Sequence, residues 1–136
     1  MSAILLDTHA AIWSAQGTLP PKVMRVIDAA ASRRELLISP ISAWEIALLV
    51  KKGRLALALS TDDFVRALFG SPGVVTAALT PHAAATAAAL PGAFHADPAD
   101  RMLVATAATY GAALLTRDER ILAYAKSTKF IAAIAC

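Results

Sequence analysis

Apolar residues along this chain follow two rhythms. Short, largely apolar runs occur at residues 3–6, 36–38, 74–79, 112–116 and 130–134. Runs this short, set between helical patterns, predict strands buried on both faces of a parallel sheet. Between them the spacing predicts helices over residues 8–15, from 21 to about 34, from 41 to about 52, from 61 to about 69, over 82–90, from 98 to about 110, and from Asp118 to about 124. Val23, Val26, Ile27 and Ala30 share one face of the second of these. Ser39-Pro40, Thr80-Pro81 and Asp97-Pro98 each place a capping side chain before a proline, which lacks the N–H that a first helical position leaves unpaired. Gly17, Gly53 and Gly111 close helices. Strand and helix alternate with no repeat, low-complexity tail or linker. The expected architecture is one α/β domain over residues 1–136, a three-layer sandwich with a mostly parallel sheet of about five strands and right-handed crossovers.

Composition narrows the class. The chain has 136 residues, 57% of them hydrophobic and many of those alanine, which suits helices packed closely on a sheet and excludes a disordered chain. A net charge of +3 admits nucleic acid as a partner without demonstrating it. Cys136 is the single cysteine, so no internal disulfide forms and a reducing cytoplasm is expected. The first residues lack a basic segment, and Asp7 interrupts their apolar run, unlike a signal peptide. The uncharged stretch 70–94 holds three prolines, and the one after Arg101 ends at Arg117, short of the about 20 residues a crossing needs. No membrane association is expected.

The acids carry the chemistry. Asp97 is placed to cap a helix and Asp100 lies in its first turn, ahead of the uncharged stretch 102–113. Asp7 ends the first predicted strand and Asp118 follows the fourth. Glu45 sits within a helix among Ile41, Trp44, Ile46 and Leu48. In an open parallel sheet the strand ends and helix starts share one edge, where ligands bind at the point of reversed strand order. If strands one and four meet there, Asp7 and Asp118 face one crevice, within reach of Glu45, Asp97 and Asp100. Carboxylates so gathered repel one another unless protonated or bound to a cation. Oxygen ligands without cysteine favour Mg²⁺ or Mn²⁺ over Zn²⁺. Such ions acidify water and hold phosphodiester oxygens, which points to phosphodiester hydrolysis. Each acid also has a simpler role: Asp7, Asp97, Asp100 and Asp118 at helix starts, Glu45 facing solvent.

Leu5-Leu6-Asp7-Thr8-His9, Ser42-Ala43-Trp44-Glu45-Ile46 with Lys52-Gly53-Arg54, His95-Ala96-Asp97-Pro98-Ala99-Asp100-Arg101 with Ala105-Thr106-Ala107, and Leu114-Leu115-Thr116-Arg117-Asp118 resemble the PIN-domain ribonucleases, above all VapC-type toxins of bacterial toxin–antitoxin pairs. The likeness covers nearly the whole chain. It implies a PIN-like sheet, a Mg²⁺- or Mn²⁺-dependent endoribonuclease, a homodimer and a cognate antitoxin. Asp7, Glu45 and Asp118 match the family's acidic positions. Asp100 is preferred as the third, with Asp97 a cap, a second ligand or both.

Supporting roles are expected of Thr116, orienting Asp118 or a water, and of Arg101, which would touch phosphate or pair with an acid. Lys51, Lys52, Arg54, Arg117 and Arg120 are candidates for RNA phosphates, or form an ordinary solvated face. Trp13 and Trp44 have the rings to stack on bases, yet their helical spacing among apolar neighbours predicts core packing. His9, His82 and His95 have no ligand spacing, although His95 lies close in sequence to the site. Two other functions compete. A phosphohydrolase with Asp7 as nucleophile would need a second aspartate where His9 stands. A non-catalytic module binding RNA or a partner would not need the acids.

Overall fold

The computed structural model describes residues 3–136. Along the chain come β1 (Ile4–Leu6), α1 (Thr8–Gln16), α2 (Pro21–Ser32), β2 (Leu36–Ile38), α3 (Pro40–Lys51), α4 (Thr61–Phe69), β3 (Val74–Thr76), α5 (Pro81–Ala88), α6 (Pro98–Tyr110), β4 (Ala113–Thr116), α7 (Glu119–Thr128) and β5 (Ala133–Ala135). The strands form one sheet in the order β3-β2-β1-β4-β5, and every pairing is parallel.

Strand alternation sorts the core into two layers. Leu5, Leu37 and Leu114 point to one face, against Ala87 of α5, Leu103 and Val104 of α6, and Ile121 and Tyr124 of α7. Ile4, Leu6, Leu36, Ile38 and Leu115 point to the other, against Ile12, Ile27, Ile46 and Leu68 of α1 to α4. Both faces are covered, which is why the central strands read as continuous apolar runs. Full burial of each such leucine contributes roughly 1.5–3 kcal/mol.

Element boundaries differ from the sequence reading chiefly in three places. The third strand stops at Thr76 rather than 79, because its neighbour β2 ends at Ile38, where Ser39 turns away to cap α3. Only the Ala77 N–H still reaches across, to the Ile38 carbonyl. The last helix runs on to Thr128, closed by Lys129 at a positive φ of 55°. The fifth strand consequently starts at Ala133, and Phe130 and Ile131 pack into the core instead of pairing. Among the described residues no helix is long and apolar enough to cross a membrane.

The chain builds outward from β1 through β2 to β3, then returns to the other side of β1 with β4. The strand order therefore reverses between β1 and β4, and a crevice opens past their carboxyl ends. Asp7 follows β1 there, and Arg117-Asp118 follow β4.

Candidate active site

Asp7 is the N-cap of α1, its Oδ1 accepting the Ala10 N–H at 2.8 Å. Its Oδ2 accepts a hydrogen bond from the Thr116 hydroxyl, and its own N–H donates to the Leu115 carbonyl. Asp118 is likewise an N-cap: its Oδ1 accepts the N–H groups of Arg120 and Ile121 at the start of α7. Its backbone N–H donates to Thr116 Oγ1 at 3.0 Å. Thr116 thus ties both aspartates to one strand end, a wider role than orienting Asp118 alone. Thr116→Val keeps the volume but strands a buried acceptor on Asp7 and the Asp118 N–H. It should destabilise the protein by about 1–3 kcal/mol, read as a lower urea midpoint at unchanged slope.

Glu45 stands in the second turn of α3, half-buried, its Oε1 taking the Thr8 hydroxyl proton. With that proton committed, Ser42 must be the donor in its 2.9 Å bond to Thr8 Oγ1. Sequence reasoning did not single out Thr8 or Ser42. The signal was there: Ser42 lies one helical turn before Glu45, and Thr8 follows Asp7 directly.

Asp97 caps α6 through Ala99 N–H at 2.9 Å and lies exposed at the rim. Asp100, one turn further in, has its Oδ2 3.7 Å from Arg120 Nη2 and 3.2 Å from His95 Nε2. His95 Nδ1 accepts the Asp97 N–H, which leaves the neutral ring's proton on Nε2, facing Asp100. That approach is off the line of a good hydrogen bond, and among the described residues Nε2 has no better partner.

These side chains line one cavity of about 440 Å³: Asp7, Glu45, Asp97, Asp100, Asp118 and the cations Arg117 and Arg120 among them. The crowding is electrostatically costly. Burial first, then the charges of Asp97, Asp118 and Glu45, push the Asp100 carboxyl up to about 7 against the pull of Arg120. Burial also raises Asp7, opposed by its bonds to Thr116 and Ala10, and raises Glu45, opposed by Thr8. Asp118 differs: burial pushes it up, but Arg120 and the helix N–H groups outweigh that and hold it below its ordinary value.

Among the described residues no three acidic, histidine or cysteine side chains already enclose an ion. Asp7, Glu45, Asp97 and Asp118 each turn an oxygen to a protein hydrogen-bond donor instead. The donor set nevertheless fits a hard divalent cation: all oxygen, held by caps and hydroxyls, and mutually repulsive without positive charge.

Two sequence expectations need correction. Arg101 touches neither an acid nor the cavity. Its guanidinium donates to the carbonyls of Ala87 at 2.8 Å, Phe94 at 3.1 Å, His95 at 3.2 Å and Ala88 at 3.4 Å. It closes the end of α5 and pins the loop that carries His95 and Asp97. Trp44 is not core but 57% exposed. Trp13 is half-buried, with the Arg117 guanidinium 4.2 Å above its ring. Of the other cations, Lys52 and Arg54 line a neighbouring cavity, while Lys51 lines neither.

A model of the PIN domain matches residues 4–127. Ribonuclease VapC22 of Mycobacterium tuberculosis is 39% identical over 123 residues, 89% of this chain and 91% of that protein. This chain is a PIN domain. The fold agrees at lower identity. The crystal structure of VapBC2 from Rickettsia felis bound to a promoter DNA fragment superposes with a TM-score of 0.72 at 14% identity, covering 98% of both chains. DNA-bound VapBC from Salmonella typhimurium gives 0.69 at 18% identity, over 99% of this chain and 98% of that one. The matched span of the PIN domain runs from β1 into α7 and contains all five cavity acids; β5 lies beyond it and completes the sheet.

Proposed function

We propose that this PIN domain is a divalent-metal-dependent endoribonuclease, the toxin of a toxin–antitoxin pair. One observation carries the chemistry: five carboxylates from four separate stretches share a cavity in which Asp100 stays protonated to about pH 7 unless positive charge arrives. The likeness to a named ribonuclease over nearly the whole chain supports the substrate, and the VapBC relatives support a protein antitoxin. Mg²⁺ is the expected ion, with Mn²⁺ a substitute. A homodimer in the cytoplasm and one domain across residues 1–136 complete the reading.

Asp7, Asp100 and Asp118 would hold the ion, with Glu45 and Asp97 close enough to share it or its waters. When bound, the ion supplies charge to the scissile phosphate and acidity to a water. The chain supplies the rest. Thr116 and the α1 N–H groups hold Asp7 in one orientation. Among the described residues nothing donates to Glu45 Oε2, which leaves that oxygen to take a proton from the attacking water. Arg117 and Arg120, at the cavity wall, meet the substrate phosphates. Asp7 as a covalent nucleophile is disfavoured: it is 8% exposed and both its oxygens accept hydrogen bonds.

The test is incubation of the pure protein with structured RNA and Mg²⁺ or Mn²⁺, with and without chelator, beside Asp7→Asn and Asp118→Asn. Cutting should require metal and be lost in both variants. Cutting that ignores chelator sinks the proposal, as does binding without turnover.

Stability should report the same ion. In the unfolded chain Asp100 releases its proton near pH 4, whereas in the fold it keeps it to about 7. The folded state binds more protons across that window, so metal-free stability falls as pH rises through it and levels off above. Below it the group contributes nothing. After solvent screening the loss is on the order of 2 kcal/mol. Mg²⁺ should therefore raise the melting temperature more at about pH 8 than at about pH 5, where protons compete for the same oxygens. An equal rise at both would argue against Asp100 as a ligand.

A further inference from the structure

Beside the carboxylate cavity lies a second one of about 280 Å³ that shares His9, Glu45 and Asp97 with it. Trp44, Leu48 and Lys52 recur at every fourth position of α3 and its C-cap, which puts them on one stripe facing this space. Arg54 and Pro98 close its other sides. Trp44 leaves more than half of its surface in water, a poor use of an indole in a helix that buries Ile46 completely. Lys52 and Arg54 are exposed, and among the described residues neither has an acid within ion-pair distance. An exposed aromatic face beside unneutralised cations, continuous with an anionic ion site, is the combination that single-stranded nucleic acid requires: a π surface for a base and charges for its neighbouring phosphates.

We propose that this cavity is a nucleotide subsite for unpaired RNA. One base stacks on Trp44, Lys52 and Arg54 take the adjoining phosphates, and the strand passes over Asp97 and Glu45 to the cluster around Asp7. The cavity has room for one base and none for a duplex, so the substrate at this position is single-stranded. This rests on the ribonuclease reading and adds to it a base-binding subsite at Trp44. Lys51 points elsewhere and takes no part.

Trp44 can be read directly. The chain has two tryptophans, so Trp13→Phe leaves Trp44 as the sole indole. In an Asp7→Asn background that blocks turnover, a short mixed-sequence RNA single strand should quench its emission, and the same RNA as a duplex should quench it far less. Trp44→Ala should weaken binding by roughly 5- to 160-fold, the change that about 1–3 kcal/mol of stacking produces. Trp44→Phe should recover most of it. In the active protein the loss should fall on KM much more than on kcat, because stacking is made equally in ground and transition states. Lys52→Ala and Arg54→Ala should flatten the salt dependence of binding.

Wild-type cutting with unchanged affinity in Trp44→Ala overturns the subsite while leaving the nuclease intact. A wild-type protein that neither binds nor cuts RNA overturns both. If Trp44→Ala instead converts a dimer to a monomer by light scattering and RNA affinity does not change, the stripe is a contact between copies of the chain and the proposal fails.

Discussion

Asp7→Asn is expected to lower RNA hydrolysis by on the order of 10³-fold or more, equivalent to about 4 kcal/mol of transition-state stabilisation, while the melting temperature holds or rises. The two outcomes separate because the carboxylate serves two ends. As a cap it needs only one acceptor oxygen, and asparagine keeps it for the Ala10 N–H. Towards Thr116 the new amide can donate, since Thr116 Oγ1 has a lone pair left beside the Asp118 N–H. What disappears is the charge, and burial already makes that charge unfavourable. Turnover measured beside a thermal melt decides it. A variant that unfolds easily would show Asp7 to be structural first, and one that still cuts would remove it from the ion site.

Arg101→Ala should lose about 3 kcal/mol of folding stability, with Arg101→Lys recovering less than half, as measured by urea unfolding without metal. Four carbonyls converge on one planar fork, and an ammonium cannot span them. Two of those carbonyls belong to the final turn of α5, where a cation also meets the negative end of the helix dipole. The other two fix the loop ahead of Asp97, so a residue that never reaches the cavity governs where Asp97 and Asp100 sit. Activity lost at temperatures where the variant is still folded would separate that positioning from stability.

Much of this was legible along the chain. The capping pairs Ser39-Pro40, Thr80-Pro81 and Asp97-Pro98 marked helix starts because the chemistry of a first turn is local. The acids at strand ends pointed to a shared crevice because parallel topology allows few alternatives. Arg101 was misread since a charge next to Asp100 and four residues from Asp97 suggests an acid partner, whereas its partners are backbone carbonyls that no sequence displays. Trp44 was misread for the converse reason. Its apolar neighbours Leu48 and Leu49 fit a buried stripe, and only the tertiary placement of α1, α4 and α6 determines which face of α3 is covered. The third strand was overextended because residues 77–79 are as apolar as a strand, while pairing depends on how far β2 reaches.

The bond between Thr116 and Asp7 joins residues 109 positions apart. While the ribosome is making the intervening stretch, Asp7 therefore has no companion: the strand that orients it is synthesised 109 residues later. A truncated or unfinished product would carry the early acids but no assembled centre. Synthesis as far as β4 is thus what assembles the acid cluster.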